Sequence, residues 1–362
     1  MGNWKSGELG DFVTFKRGFD LPQQKRENGQ VPIFSSSGIT GTHSTAMVKA
    51  PGVITGRYGT IGEVFYAAED FWPLNTTLFV ENYHGNDAKF IYYFLKTLEW
   101  SKFTSASAVP GINRNTVHKE IVSLPDIETQ KRIASTLSML DEKIKTNTEI
   151  NDNLQQQAAA LFSSLYDRSN TEVRFTDLIQ ILGGGTPKTG ENTYWNGNIA
   201  FFTPKDVGTP YTLITEKTIS KEGLSHCNSR LYPVNTVFVT ARGTVGKVGM
   251  SGVPMAMNQS CYALVGKETH QLLVYFYTLK AVDRLKHKAS GAVFDAITTR
   301  DFESEQIMKL SDDDATAFLR VAEPMFQEVL NNNIENLRLS TLRDSLLPKL
   351  MSGEIDVSAV QL

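Results

Sequence analysis

Val53-Ile54-Thr55-Gly56-Arg57-Tyr58-Gly59-Thr60-Ile61-Gly62-Glu63-Val64 returns later in the chain as Phe238-Val239-Thr240-Ala241-Arg242-Gly243-Thr244-Val245-Gly246-Lys247-Val248. Matching Arg57 to Arg242 gives an offset of 185; the second copy lacks the tyrosine, so the Gly-Thr pair follows at 184. Downstream, Asn75-Thr76-Thr77 meets Asn258-Gln259-Ser260 at 183. Ala106-Ser107 precedes Ile112 as Ala289-Ser290 precedes Ile297. Features that recur in one order at so long a period mark a duplicated module. A length of 362 residues leaves room for two such modules.

The duplication extends into helical segments. Ile133, Leu137, Leu140, Ile144, Asn147, Asn151, Leu154, Ala158, Leu161 and Leu165 step by four and three, a heptad seam. Adding 185 gives Phe318, Ala322, Met325, Val329, Asn332, Asn336, Leu339, Arg343, Leu346 and Leu350. The asparagines interrupt both copies at the same places, and only Arg343 breaks the pattern further. An asparagine in an apolar seam costs stability but fixes register, because its amide needs a partner. Antiparallel pairing of the two helices would set Asn147 against Asn336 and Asn151 against Asn332, both with an index sum of 483. The alternative is that each helix packs on its own module with its asparagines in water. Asp126 and the Ser311-Asp312-Asp313-Asp314 run suit the two helix starts. Pro324 predicts a kink or restart in the second helix.

Between the helices the pattern is mixed α/β. Val53–Thr55 and Val237–Val239 read as buried strands, Phe90–Leu95 and Leu272–Tyr277 as aromatic-rich helices. Phe34–Ser44 and Gly183–Gly190 read as polar, glycine-rich loops. The expected organisation is a module at 1–124, a helix at 125–167, a second module at 168–310 and a second helix with a tail at 311–362. The modules should be related by a pseudo-twofold axis and joined by a long antiparallel helical spacer.

Net charge is −3 and is unevenly spread. Residues 1–124 carry +1 and 168–310 carry +4, while 125–167 carry −3 and 311–362 carry −5. The acidic segments are the helical ones, which read as solvated faces away from phosphate. No run approaches the ~18 apolar residues of a membrane span, and the N-terminus lacks a signal-peptide stretch. Cys227 and Cys261 are the only cysteines and form no Cys-x-x-Cys pair, so a cytoplasmic location is expected.

No catalytic motif survives inspection. Gly183-Gly184-Gly185-Thr186-Pro187-Lys188 lacks the Gly-Lys-Ser/Thr ending of a phosphate-binding loop. The histidines at 43, 84, 118, 226, 270 and 287 show no ligand spacing, so neither metal nor cofactor is assigned. Asp126 with Asp141-Glu142-Lys143 mimics a nuclease pattern, but these carboxylates lie roughly 22 Å apart along one helix. An aminomethyltransferase grips its adenine with an Asn/Asp-Pro-Pro-aromatic motif, and the chain contains no Pro-Pro.

The chain resembles the specificity subunit of type I restriction–modification systems. The resemblance is densest at Gly184-Gly185-Thr186-Pro187, at Tyr194-Trp195-Asn196-Gly197 through Thr203-Pro204-Lys205-Asp206-Val207, and at Arg242–Gly246 with Asn258-Gln259. Leu124-Pro125 with Glu128, Gln130 and Ile133, and Leu350-Met351-Ser352-Gly353-Glu354-Ile355, resemble the start of the first conserved helix and the close of the second. The first module opens differently, with Lys16-Arg17-Gly18-Phe19-Asp20. The resemblance therefore implies two unlike half-sites in double-stranded DNA, an asymmetric bipartite target. It also implies two modification subunits positioned to methylate adenine, with motor and nuclease subunits joining separately. Arg57 and Arg242 are candidates for guanine or phosphate contact, or for anchoring the Gly-Thr turn. Lys16, Arg17, Tyr58, Arg114, Lys188 and Lys205 are further candidates for DNA contact. A stand-alone bimodular DNA-binding regulator and a protein-interaction scaffold are the competing readings.

Overall fold

The computed structural model describes residues 4–104, 110–208, 210–288 and 296–357. It divides into two compact units, one of residues 1–143 with 338–362, the other of residues 144–337. The alanine–serine pairs at 106–107 and 289–290 lie outside the described residues. The units have the same topology. In unit 1 the principal sheet runs Thr14–Arg17, Thr77–Asn82, Gly52–Gly56, Val64–Ala67. In unit 2 the order is Ile179–Gly183, Cys261–Gly266, Val237–Thr240, Val248–Ser251, with Tyr211–Thr212 added at the edge. The central strands Gly52–Gly56 and Val237–Thr240 are buried along their whole length. That explains their mainly apolar character, since a strand covered on both faces has no solvent side; Thr55 and Thr240 are the buried exceptions.

Each unit also has a three-stranded sheet of one antiparallel and one parallel pair. In unit 1 Val31–Ser35 pairs with Gly38–His43 and, in parallel, with Trp72–Pro73. In unit 2 Trp195–Phe202 pairs with Lys217–Ile219 and, in parallel, with Met255–Met257. The segment Phe34–Ser44, expected as a loop, is therefore largely a hairpin. Its serines and glycines suggested a loop, but the turn needs only one residue of positive φ, Gly38 at 99°. A two-stranded antiparallel sheet closes each unit: Lys5–Glu8 with Ile121–Leu124, and Thr171–Arg174 with Gln306–Lys309.

The expected aromatic helices are Ala88–Lys96 and Gln271–Lys288, and their rings enter the cores. The two long helices run Ile127–Asp167 and Asp312–Met351. Asp126 caps the first by accepting from Thr129 N at 2.9 Å, and Ser311 caps the second by accepting from Asp314 N at 3.1 Å. The second helix is not restarted at Pro324. The proline forfeits one backbone bond, but Phe318, Ala322, Phe326 and Val329 around it are buried, and their packing holds the helix together. Among the described residues no helix is long and apolar enough to cross a membrane.

Within each unit, segments of both long helices complete the core. In unit 1, Ile133 and Leu137 join Leu350 and Met351 beneath Phe90 and Leu95. In unit 2, Phe162 stacks on Phe276 at 5.0 Å, and Phe318 meets Phe276 edge-on at 5.2 Å. The polar interruption of the seam lies in unit 2. Asn147 and Asn151 are 0% and 4% exposed and Asn332 is 6% exposed, so these amides are inside the packing. Asn147 Nδ2 donates to Asn336 Oδ1 at 2.9 Å, and Asn332 Nδ2 donates to Asn151 Oδ1 at 2.9 Å. Asn147 Nδ2 also donates to Glu335 Oε2 at 2.7 Å, and Asn151 Nδ2 to Asn333 Oδ1 at 3.0 Å. Both asparagine pairs have the index sum 483, so the helices run antiparallel through this unit. In unit 1, Arg343 takes a polar role: its Nη1 pairs with Asp141 Oδ1 at 2.7 Å, while Tyr93 OH donates to Asp141 Oδ2 at 2.5 Å.

Candidate nucleic-acid interface

The backbone hydrogen bonds give a residue-by-residue equivalence between the units, and it corrects the alignment made on arginine. Arg57 N and Tyr58 N both donate to Thr76 O, at 2.8 and 3.2 Å; Ala241 N and Arg242 N both donate to Ser260 O, at 2.8 and 3.2 Å. Ile112 N donates to Arg57 O, and Ile297 N to Ala241 O, each at 3.0 Å. The ladder registers agree: Gly56 faces Thr77 as Thr240 faces Cys261. The offset is thus 184 throughout the central strands, with no gap at Tyr58. Arg242 stands where Tyr58 stands, and the counterpart of Arg57 is Ala241. The arginines shared a letter, not a position.

The turns that follow have the same shape. Gly59 and Gly62 have φ of 76° and 85°, Gly243 and Gly246 of 82° and 73°. Left-handed conformation at both ends of the turn explains the paired glycines. The opening loops match as well, despite unlike sequences. A Cβ on Gly18 would stand 2.1 Å from Leu74 O, and one on Gly184 would stand 2.2 Å from Asn258 O. Only glycine permits that approach, so Lys16-Arg17-Gly18-Phe19-Asp20 occupies the place of Leu182-Gly183-Gly184-Gly185-Thr186. Across this loop Asn75 donates to Asp20 in unit 1, and Thr186 donates to Gln259 in unit 2. The same cross-loop bond is made with different chemistry. The repeat marked the segments of Asn75 and Gln259 but not their bonds to Asp20 and Thr186, because each bond joins segments that only the fold brings together.

The predicted DNA-contacting residues fall into two groups. Arg57 is half-buried; its Nε donates to Ile112 O at 3.3 Å and its guanidinium lies 4.5 Å from the Tyr58 ring centroid. It holds the Gly-Thr turn against the strand at Ile112. Arg242 is exposed and forms no ion pair with a described residue. Tyr58 bridges to Gly111, and Arg114 Nη1 reaches Phe15 O at 3.5 Å, so Arg57, Tyr58 and Arg114 gather around residues 111–114. Lys16 lies on the neighbouring strand, paired with Glu81 at 2.5 Å, and Arg17 beside it is exposed. In unit 2, Lys205 adjoins the Gly243 turn, since Thr244 Oγ1 donates to Pro204 O at 3.2 Å; its Nζ is 3.6 Å from Glu216. Lys188 is exposed in the opening loop, whose backbone is held by Trp195 Nε1 donating to Lys188 O at 3.1 Å.

His118 supports this edge from behind. Its Nε2 accepts from Phe15 N at 2.9 Å, which requires an unprotonated nitrogen. Burial first, then the charges of Arg114 and His84, hold its pKa below the ordinary histidine value. The sequence decoys have structural places. Asp126 is a helix cap and Asp141 is held by Tyr93 and Arg343. Burial pushes the Cys261 thiol up to about 12, and Cys227 Sγ faces Leu224 O at 3.5 Å. Among the described residues no group of three metal-ligating side chains occurs.

A type I restriction modification DNA specificity domain model matches residues 1–156 and again residues 168–309. The chain is 25% identical to the type I restriction enzyme HindI specificity subunit of Haemophilus influenzae, across 72% of this chain and 75% of that one. It is 28% identical to the EcoR124I/EcoR124II specificity subunit of Escherichia coli, across 52% of this chain and 50% of that one. In fold it is similar to the crystal structure of a type I restriction–modification S subunit from M. genitalium, with a TM-score of 0.68, 16% identity and 96% of both chains covered.

Proposed function

The chain belongs to the type I restriction–modification DNA specificity family, and on that premise we propose that its two units read the two halves of one asymmetric, bipartite DNA target. It is a non-catalytic targeting subunit and works with the type I complex. The observation that carries the bipartite reading is the shared frame of the two loop clusters. One holds the Asp20–Asn75 couple; the other holds the Thr186–Gln259 couple. The same scaffold offering different donors and acceptors suits two half-sites of different sequence.

In this reading Arg242, Tyr58, Arg17, Lys188, Lys205, Arg114 and Lys16 face DNA, and Arg57 orients the turn that carries Tyr58. The recognition modules in this reading are residues 1–124 and 168–310, and the helices at 125–167 and 311–362 are the spacer. Two modification subunits would bind this chain in the cytoplasm and be placed over an adenine in each half-site. Motor and nuclease subunits would join that core separately. The buried asparagine pairs serve as register markers for the spacer.

The test is a module exchange. Residues 168–310 are replaced by the equivalent module of another family member, and methylated positions are mapped across genomic DNA. One half-site should change and the other persist. A change in both would overturn the assignment of one half-site to each unit.

A further inference from the structure

We propose that the Gly59–Gly62 and Gly243–Gly246 turns are a matched pair of DNA-phosphate clamps, one per unit, that grip the backbone of each half-site and read no base. This deepens the reading above and rests on it. Phosphates are present in every sequence, so contacts to them are ones that two units reading unlike sequences can share. What these units share most closely is this turn: the same backbone bonds, the same left-handed glycines and the same threonine. The side chains at the opening loop differ between the units, as base-reading groups should.

The turns have the chemistry of an anion site. Among the described residues, the successive amides of residues 59–61 and of residues 243–245 donate to no acceptor. Adjacent N–H groups in a turn with left-handed residues form a concavity of positive partial charge. In unit 2 cations surround it. Arg242 starts the turn, and the Cε and Nζ of Lys286 stand 2.6 and 3.3 Å from where a Cβ on Gly246 would lie. Any side chain there would displace the lysine, so the glycine keeps Lys286 over the turn. In unit 1 the ring of Trp100 fills that place, with its Cβ 2.7 Å from a Cβ on Gly62. The charge there comes from Arg57, whose backbone begins the turn. Glu63 also replaces Lys247, so the first clamp is the weaker one.

The test uses the full chain assembled with its modification subunits. Its DNA probes are a duplex carrying the mapped target, a scrambled duplex, and target duplexes with single neutral methylphosphonates. Arg242→Gln with Lys286→Gln should weaken binding to the target and scrambled duplexes by the same factor. The slope of log affinity against log salt should fall by about 0.9 for each cation removed. A methylphosphonate at one position in the second module's half-site should weaken the wild-type complex more than the double variant, which keeps the turn amides but not the two cations. A changed ratio of target to scrambled binding with an unchanged slope would overturn the proposal, because the pair would then be reading bases. Unaltered affinity for both duplexes would overturn it equally, placing the turn away from DNA. Failure of the wild-type complex to prefer its target would instead defeat the recognition reading itself.

Discussion

Replacing Asn332 with leucine, alone and together with Asn151→Leu, tests the polar layer of the helix pair quantitatively. In the wild type, Asn332 Nδ2 donates to Asn151 Oδ1 at 2.9 Å, and both side chains are buried. Asn332→Leu removes that donor and leaves the Asn151 oxygen without it in a site closed to water. An orphaned buried acceptor costs about 1–3 kcal/mol. The new leucine recovers part of this through apolar burial, at roughly 25 cal/mol per Å². The single variant should therefore lose about 1–2 kcal/mol of stability. In the double variant neither amide remains, the Asn333 oxygen turns to water, and two leucines meet in the seam. Stability should return to wild type or exceed it. The coupling between the two sites should be about 1–3 kcal/mol, as for residues in direct contact. Urea unfolding of the full chain, followed by circular dichroism of the helices and including Asn151→Leu alone, gives the four free energies of the cycle. If Asn332→Leu is neutral or stabilising by itself and the two changes add to within about 0.5 kcal/mol, the buried amide pair is not there.

Three further outcomes follow from the site geometry. Arg57→Gln should lower stability by about 1 kcal/mol, since the side chain bonds Ile112 O, whereas Arg242→Gln should stay within about 0.5 kcal/mol of wild type; thermal unfolding separates the two. His118 is held neutral by its bond from Phe15 N, with a folded pKa below its unfolded value of about 6.5, so unit 1 should lose stability as pH falls through that value toward the folded pKa. His118→Gln should flatten this dependence in unfolding measurements at pH 5 to 7 if the histidine is its source. Iodoacetamide at pH 8 should alkylate Cys227 and spare Cys261 in the native protein, because Cys261 is buried and its thiol is pushed up to about 12; mass spectrometry of the digest reads the result.

The helix pair was legible in the sequence because its signal is local and redundant: a heptad step repeated over tens of residues, interrupted twice by asparagine. The Gly-Thr turns were legible for a similar reason, since left-handed backbone demands glycine at fixed places. The misalignment of Arg57 with Arg242 arose where side-chain identity and backbone geometry disagree. The offset of 184 at Gly59 and Gly243, carried back to Val53 and Val237, would have paired Arg57 with Ala241. The hairpin inside Phe34–Ser44 was hidden by its own small residues. The resemblance placed Lys16–Asp20 at the opening of the first module, but its register against Leu182–Thr186 had no sequence signal, because it rests on a glycine facing a carbonyl more than fifty residues away in sequence. The strand pairs Lys5–Glu8 with Ile121–Leu124 and Thr171–Arg174 with Gln306–Lys309 join segments too distant for any pattern to connect.

The unequal continuity of the two units has a consequence for how the protein is made. Unit 2 is one unbroken stretch, residues 144–337, whereas unit 1 needs residues 338–362 in addition to 1–143. Leu350, Met351 and Val357 are buried in the unit 1 core, against residues synthesised some two hundred positions earlier. The last residue of the later unit is therefore added before the earlier unit has all of its own. The earlier one waits with a core lacking its last helical turns, its apolar surface open to chaperones, proteases and other nascent chains. A chain ending at residue 337 would hold every residue of unit 2 and an incomplete unit 1. Quality control of this protein is thus weighted toward its N-terminal portion, although that portion leaves the exit tunnel first.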